Sequence, residues 1–140
     1  MKIVIDTNVL VSGLLSPSGP SGEIVRMVAS GILELCYDAR ILSEYRNVLL
    51  RPKFSFDQDH VNALLDQIKT CGRVVAVEPL TKRLPDPKDE PFLEAALAEK
   101  IQCLVTRNLK HYPAKKREGM LVVPPEEFLE IYRGSRNSSR

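Results

Sequence analysis

The chain opens with a short apolar run, Ile3-Val4-Ile5, that stops on an acid, Asp6. Consecutive β-branched residues without alternation read as a strand buried on both faces. Such strands belong to the interior of parallel sheets, so this run points to an α/β protein. Asp6 then sits at the strand's carboxyl end, where open α/β sheets place their ligand sites. A carboxylate there is costly unless it is solvated, paired or bound to a cation.

The rest of the chain supports that architecture. Ser16 to Gly22 is a loop by composition. Glu23 to Ala29 has helical spacing, with Gly31 as a stop. Ile32 to Tyr37 reads as a second strand, and Ala39 to Leu50 as a helix with Ile41, Leu42, Tyr45, Val48 and Leu49 on one stripe. Asp57 to Thr70 is a further helix. Val74 to Val77 is a third strand, Glu78 to Lys88 a loop, and Asp89 to Lys100 a helix. Gln102 to Thr106 is a fourth strand, Leu121 to Val123 a fifth, and Pro124-Pro125 opens a short last helix. Strands alternating with helices predict a mostly parallel sheet with helices on both faces. Residues 1–132 then form one domain. Gly134 to Arg140 holds no apolar residue, so 133–140 is expected to be a disordered tail.

Composition narrows the class. The formal net charge of +2 is too small to attract nucleic acid in bulk, so any such contact needs local basic patches. No apolar run approaches the roughly 20 residues of a membrane span, and no signal-peptide pattern precedes the first strand. The three cysteines, Cys36, Cys71 and Cys103, form no C-x-x-C pair. They read as reduced core residues of a cytoplasmic protein. With only His60 and His111 as histidines, a structural zinc site is not expected.

The chemistry should gather at the carboxyl edge of the sheet. Asp6 ends strand 1, Asp89 starts the helix after strand 3, and Thr106, Arg107 and Asn108 end strand 4. Glu44 falls roughly 40° outside the apolar stripe of its helix, so it can lean over that edge. Converging carboxylates repel one another, and without a cation at least one takes up a proton. Hard oxygen ligands suit Mg²⁺ or Mn²⁺, and such a metal favours phosphodiester hydrolysis. Each acid also has a plainer reading. Asp6 can cap the segment Thr7 to Leu15, Glu44 can pair with Arg40 in solvent, and Asp89 can cap its helix. Basic groups near the edge are candidate phosphate contacts. They are Arg107, the run Lys110, Lys115, Lys116 and Arg117, and Arg40, Arg46, Arg51 and Lys53 beside the Glu44 helix. No aromatic interleaving marks a base-stacking surface.

These residues carry a family resemblance. Ile3-Val4-Ile5-Asp6-Thr7-Asn8-Val9, Ser43-Glu44, Asp86 to Ala96 and Val105 to Tyr112 stand in an order that resembles PIN-domain ribonucleases, in particular the VapC-like toxins of toxin–antitoxin pairs. The resemblance spans roughly residues 1–130. It implies a three-layer α/β/α sandwich with a sheet of about five strands, and a Mg²⁺- or Mn²⁺-dependent endoribonuclease site. By position, Asp6, Glu44 and Asp89 become the metal-binding acids, with Asn108 as a fourth catalytic group. Thr7, Asn8, Thr106, Arg107, Lys110 and His111 become substrate contacts. A small antitoxin partner and a homodimer are also implied. The family often has acids where this chain has Asn108 and His111. That departure motivates an alternative: a PIN-like module that binds RNA or protein with weak or no catalysis. A phosphatase using Asp6 as nucleophile would need an acid where Asn8 stands. A dinucleotide enzyme would need a G-x-G-x-x-G after strand 1.

Overall fold

The computed structural model describes residues 1–138. Five strands form one parallel sheet: β1 (Lys2–Ile5), β2 (Glu34–Tyr37), β3 (Arg73–Val74), β4 (Cys103–Val105) and β5 (Val122–Val123). Their order across the sheet is β3-β2-β1-β4-β5. Six α-helices among the described residues complete an α/β/α sandwich: α1 (Thr7–Leu15), α2 (Pro20–Ala29), α3 (Ala39–Leu49), α4 (Gln58–Cys71), α5 (Glu90–Leu97) and α6 (Pro125–Ser138).

The central strand is β1. Ile3 lies opposite Leu35 on one side and Cys103 on the other, and Ile3, Val4 and Ile5 are fully buried. From β1 the chain builds outward through β2 to β3, then returns across the sheet to β4 and β5. The direction of winding therefore reverses between β1 and β4. A crevice opens outside the carboxyl ends of strands at such a reversal, and Asp6 and Thr106 follow those two strand ends.

Two helices fix the walls of that crevice. Asp38 caps α3, its carboxylate accepting from the Ile41 amide at 3.0 Å. The helix buries Ile41, Tyr45 and Leu49, one residue per turn. The buried Tyr45 hydroxyl donates to the Ile5 carbonyl at 2.5 Å, which pins α3 to the end of β1. α5 lies across β1, β2 and β4, burying Phe92, Leu93, Ala95 and Ala96.

Several boundaries differ from the sequence reading: β2 begins at Glu34 and not Ile32, α5 ends at Leu97 and not Lys100, and three other differences have clear causes. α2 begins at Pro20, inside the segment read as a loop, because proline suits a first helical turn and Gly19 serves as the cap. Gly22 lies in that first turn, and a Cβ there would collide with the Pro17 backbone. Gly22→Ala is therefore expected to destabilise the fold by about 1–3 kcal/mol, read as a lower denaturation midpoint with an unchanged slope. β3 is shorter than Val74 to Val77. Its only partner, β2, ends at Tyr37, and the last ladder bond runs from the Val75 amide to the Tyr37 carbonyl at 2.9 Å. The last helix is longer than expected and continues past Arg133 to Ser138. Arg133 is held to Glu23 of α2, its guanidinium 3.1 Å from Oε2. That contact anchors the helix where apolar content alone predicts a tail. Residues 139–140 of that expected tail lie outside the described residues. No helix among the described residues is long and apolar enough to cross a membrane.

Candidate active site

Asp6 occupies the N-cap position of α1, but its side chain makes no capping hydrogen bond. It turns instead toward the strand that neighbours β1. Oδ2 accepts from the Thr106 hydroxyl at 3.0 Å and from the Tyr112 hydroxyl at 3.0 Å. Asp6 is 5% exposed. Burial raises its pKa, while the two hydroxyls, and more weakly the Asn8 and Thr7 amides, oppose the rise. A carboxyl held this way is tied down in the fold, and helix capping does not explain it.

Glu44 is half-buried on α3. Its Oε2 accepts a very short hydrogen bond from the Thr7 hydroxyl. Burial raises its pKa, the Thr7 hydrogen bond lowers it, and the charge of Asp6 raises it again. Asp89 closes a short 3₁₀ turn (Pro87–Asp89) ahead of α5 and is 8% exposed. Burial pushes its carboxyl up to about 6, Asp6 adds to the rise, and His111 works against it. His111 Nδ1 lies 2.9 Å from Asp89 Oδ2, an ion-pair distance. Beyond His111, no further donor among the described residues reaches this buried oxygen. A buried carboxylate oxygen with spare acceptor capacity suits a cation.

Asp89 and Glu44 line one cleft of about 470 Å³, together with Thr7, Asn8 and Arg107. Arg51, Lys88 and Arg107 give it a cationic rim, and Val11, Leu15, Val48 and Phe54 an apolar wall. Asp6 lies beneath, close enough to raise the pKa of both other acids. Asn8 organises the far side: its Oδ1 accepts from the Arg107 amide at 3.0 Å. The Arg107 guanidinium donates to Ser12 Oγ at 2.8 Å.

The remaining sequence candidates divide. Thr106 is fully buried and holds Asp6, with its Oγ1 also accepting from the Asn108 amide at 3.1 Å. Thr106, expected as a substrate contact, presents no surface to the cleft in this fold and serves instead to hold Asp6. Thr7, 6% exposed, spends its hydroxyl on Glu44. Asn108 and His111 are joined, Nδ2 to Nε2 at 2.8 Å, and His111 reaches on to Asp89. Lys110 is exposed on the 3₁₀ turn Leu109–His111 and is not part of the cleft wall. Among the described residues no three Asp, Glu, His or Cys side chains converge as a ready-made metal cage. Mg²⁺ does not require one, since it commonly takes one or two carboxylates and completes its shell with water and phosphate. The buried Asp89 carboxylate and the all-oxygen donors fit such an ion. Sequence reasoning missed Tyr112, Lys88 and Phe54. Tyr112 closes the Val105 to Tyr112 stretch that carries the family resemblance, and that position was the one sequence signal for it.

The fold and the cleft together define a class: a parallel α/β sandwich with acids at the crevice where its winding reverses. The PIN domain family model matches residues 2–110, and the chain belongs to that family. PIN domains are generally nucleases. The uncharacterized protein MJ1680 of Methanocaldococcus jannaschii is 26% identical over 142 aligned positions, covering 94% of this chain and 92% of its own. The crystal structure of VapBC2 from Rickettsia felis, bound to a DNA fragment from their promoter, is similar with a TM-score of 0.58. That match has 15% identity and covers 89% of this chain and 98% of that one. At that identity the likeness is one of fold.

Proposed function

We propose that this chain is a metal-dependent endoribonuclease that uses Mg²⁺ or Mn²⁺, and that it is the toxin of a toxin–antitoxin pair. The observation that carries the reading is the buried Asp89 carboxylate, set in one cleft with Glu44 above the tethered Asp6. Asp6 and Asp89 would hold the ion, with Glu44 as the third acid and Asn108 supporting them through His111. When bound, the metal activates water and polarises a phosphate oxygen.

The chain's own residues do the rest. Thr106 and Tyr112 fix the rotamer of Asp6 and favour its charged form. Thr7 holds Glu44 against the cleft wall. Asn8 places the Arg107 backbone, which sets that guanidinium at the rim beside Arg51 and Lys88. Those three cations offset the charge of an incoming phosphodiester and contact it without reading sequence. A small antitoxin that covers the cleft, a homodimer and a cytoplasmic location complete the proposal. They are supported by the family and by the VapBC2 likeness in fold.

The second reading is a binding module with little catalysis. The absence of a ready-made cage among the described residues favours it, as does the lack of negative charge at Asn108 and His111. Metal removal separates the two. The purified chain is expected to cleave RNA with Mg²⁺ or Mn²⁺, to stop in chelator, and to recover when metal is returned in excess. RNA binding without cleavage, beside a melting temperature that does not respond to either metal, would establish the binding module instead.

A further inference from the structure

The cleft holds one feature that phosphate chemistry does not use. Phe54 stands in its wall together with Glu44, Asp89 and Arg51. It ends the 3₁₀ turn Pro52–Phe54, just beyond α3, and is half-buried. Its ring stacks on Phe56, with centroids 5.3 Å apart and planes 11° from parallel. The Lys53 ammonium lies 5.1 Å from the Phe54 ring centroid. A stacked aromatic pair is therefore set at the edge of the cleft, with two cations, Arg51 and Lys53, just before it in sequence.

We propose that Phe54 forms a nucleobase-stacking subsite that selects the nucleotide flanking the scissile phosphate. The inference rests on the ribonuclease reading for the identity of its ligand. A nucleotide offers a flat π-face and a phosphate a few ångströms apart. Phe54 matches the first, and Lys53 and Arg51 match the second. Stacking on Phe56 holds the Phe54 ring in place before a ligand arrives, so little side-chain entropy is lost on binding. The aromatic ring accepts any base, with discrimination through stacking area rather than a hydrogen-bond code. A base paired in a duplex cannot present its face to the ring, so the nucleotide at this position is unpaired. Arg51, Lys88 and Arg107 among the cleft's lining residues, with Lys53 beside the ring, offer phosphate contacts that suit RNA, while Asp86, Glu44 and Asp89 line the same cleft.

The experiment measures binding apart from cleavage. A short fluorescent RNA with a hydrolysis-resistant backbone is titrated into the full chain in Mg²⁺. It is then remade with an abasic residue at each position in turn. One abasic position is expected to weaken wild-type binding roughly 5- to 100-fold, the range that base–aromatic stacking supplies. Phe54→Leu should bind the intact RNA as weakly as wild type binds that abasic RNA, and should no longer distinguish the two. Phe54→Tyr should restore the difference. Loss of fold alone cannot produce this pattern, because it would not make one abasic position silent. Several outcomes overturn the proposal: no RNA binding by wild type, Phe54→Leu binding like wild type, or abasic sensitivity that survives in Phe54→Leu. The second of these would leave the wall of Val11, Leu15, Val48 and Phe54 to a protein ligand. Phe54-dependent binding without metal-dependent cleavage keeps the subsite and removes the ribonuclease reading.

Discussion

Asp6→Asn is expected to reduce metal-dependent RNA cleavage by roughly 100-fold or more, because a bound metal contributes several kcal/mol of transition-state stabilisation. The variant should still fold. Asn has the shape of Asp, and its carbonyl oxygen can accept from the Thr106 and Tyr112 hydroxyls that now hold Oδ2. Removing a charge that burial disfavours also removes a desolvation cost. The expected result is therefore a melting temperature equal to or above that of wild type, beside an inactive site. Thermal denaturation and a cleavage assay on the same preparation check both halves. Wild-type cleavage by the variant would point to a contaminating nuclease and remove Asp6 from the mechanism. An unfolded variant would show that the negative charge itself is required by the fold.

The sequence made the centre of the molecule legible for a physical reason. Ile3-Val4-Ile5 and the apolar run ending at Thr106 are buried on both faces, and burial on both faces leaves an unbroken apolar signature. Two such runs side by side define the crevice, and so Asp6 could be placed before any coordinates. Glu44 could be placed by its angle from the α3 stripe, because Ile41, Tyr45 and Leu49 fix which way that helix faces. Features that depend on loop paths were not legible. Tyr112 reaches Asp6 from 106 positions away through a 3₁₀ turn that no periodicity announces. Phe54 reads as one of a few scattered aromatics until the turn after α3 folds it into the cleft. The edge strand β3 read as longer because Val77 continues the apolar pattern, while the ladder stops where its single neighbour stops. Asn108 and His111 read as missing acids. In the fold they form a connected pair that reaches Asp89, so the departure from the family pattern adds a donor group where a carboxylate would have added charge.

Asp89→Asn is expected to move activity and metal-free stability in opposite directions. Burial first and the Asp6 charge second push the Asp89 carboxyl from 3.8 to about 6. The charged form is thus disfavoured in the fold relative to the unfolded chain. For a carboxyl raised in this way, the folded state keeps its full stability below the ordinary value. It loses stability as pH climbs from there through about 6. At neutral pH in chelator, wild type carries the whole of that loss and the Asn variant carries none. Each pKa unit corresponds to about 1.4 kcal/mol. Solvent at the cleft edge and the loss of the His111 contact reduce the net gain to about 1 kcal/mol, or roughly 3 °C in a domain of this size. At acid pH, where Asp89 is protonated in both states, that gain should vanish. Metal reverses the order at neutral pH. Mg²⁺ at about 100 times its dissociation constant stabilises a binding-competent fold by about 2.7 kcal/mol, and that increment should be present in wild type and largely absent in the variant. Melting curves at neutral and acid pH, each with Mg²⁺ and with chelator, separate these terms. A variant that melts below wild type in chelator would show that the His111–Asp89 pair is worth more than the buried charge costs. Equal stabilisation of both proteins by Mg²⁺ would place the ion away from Asp89.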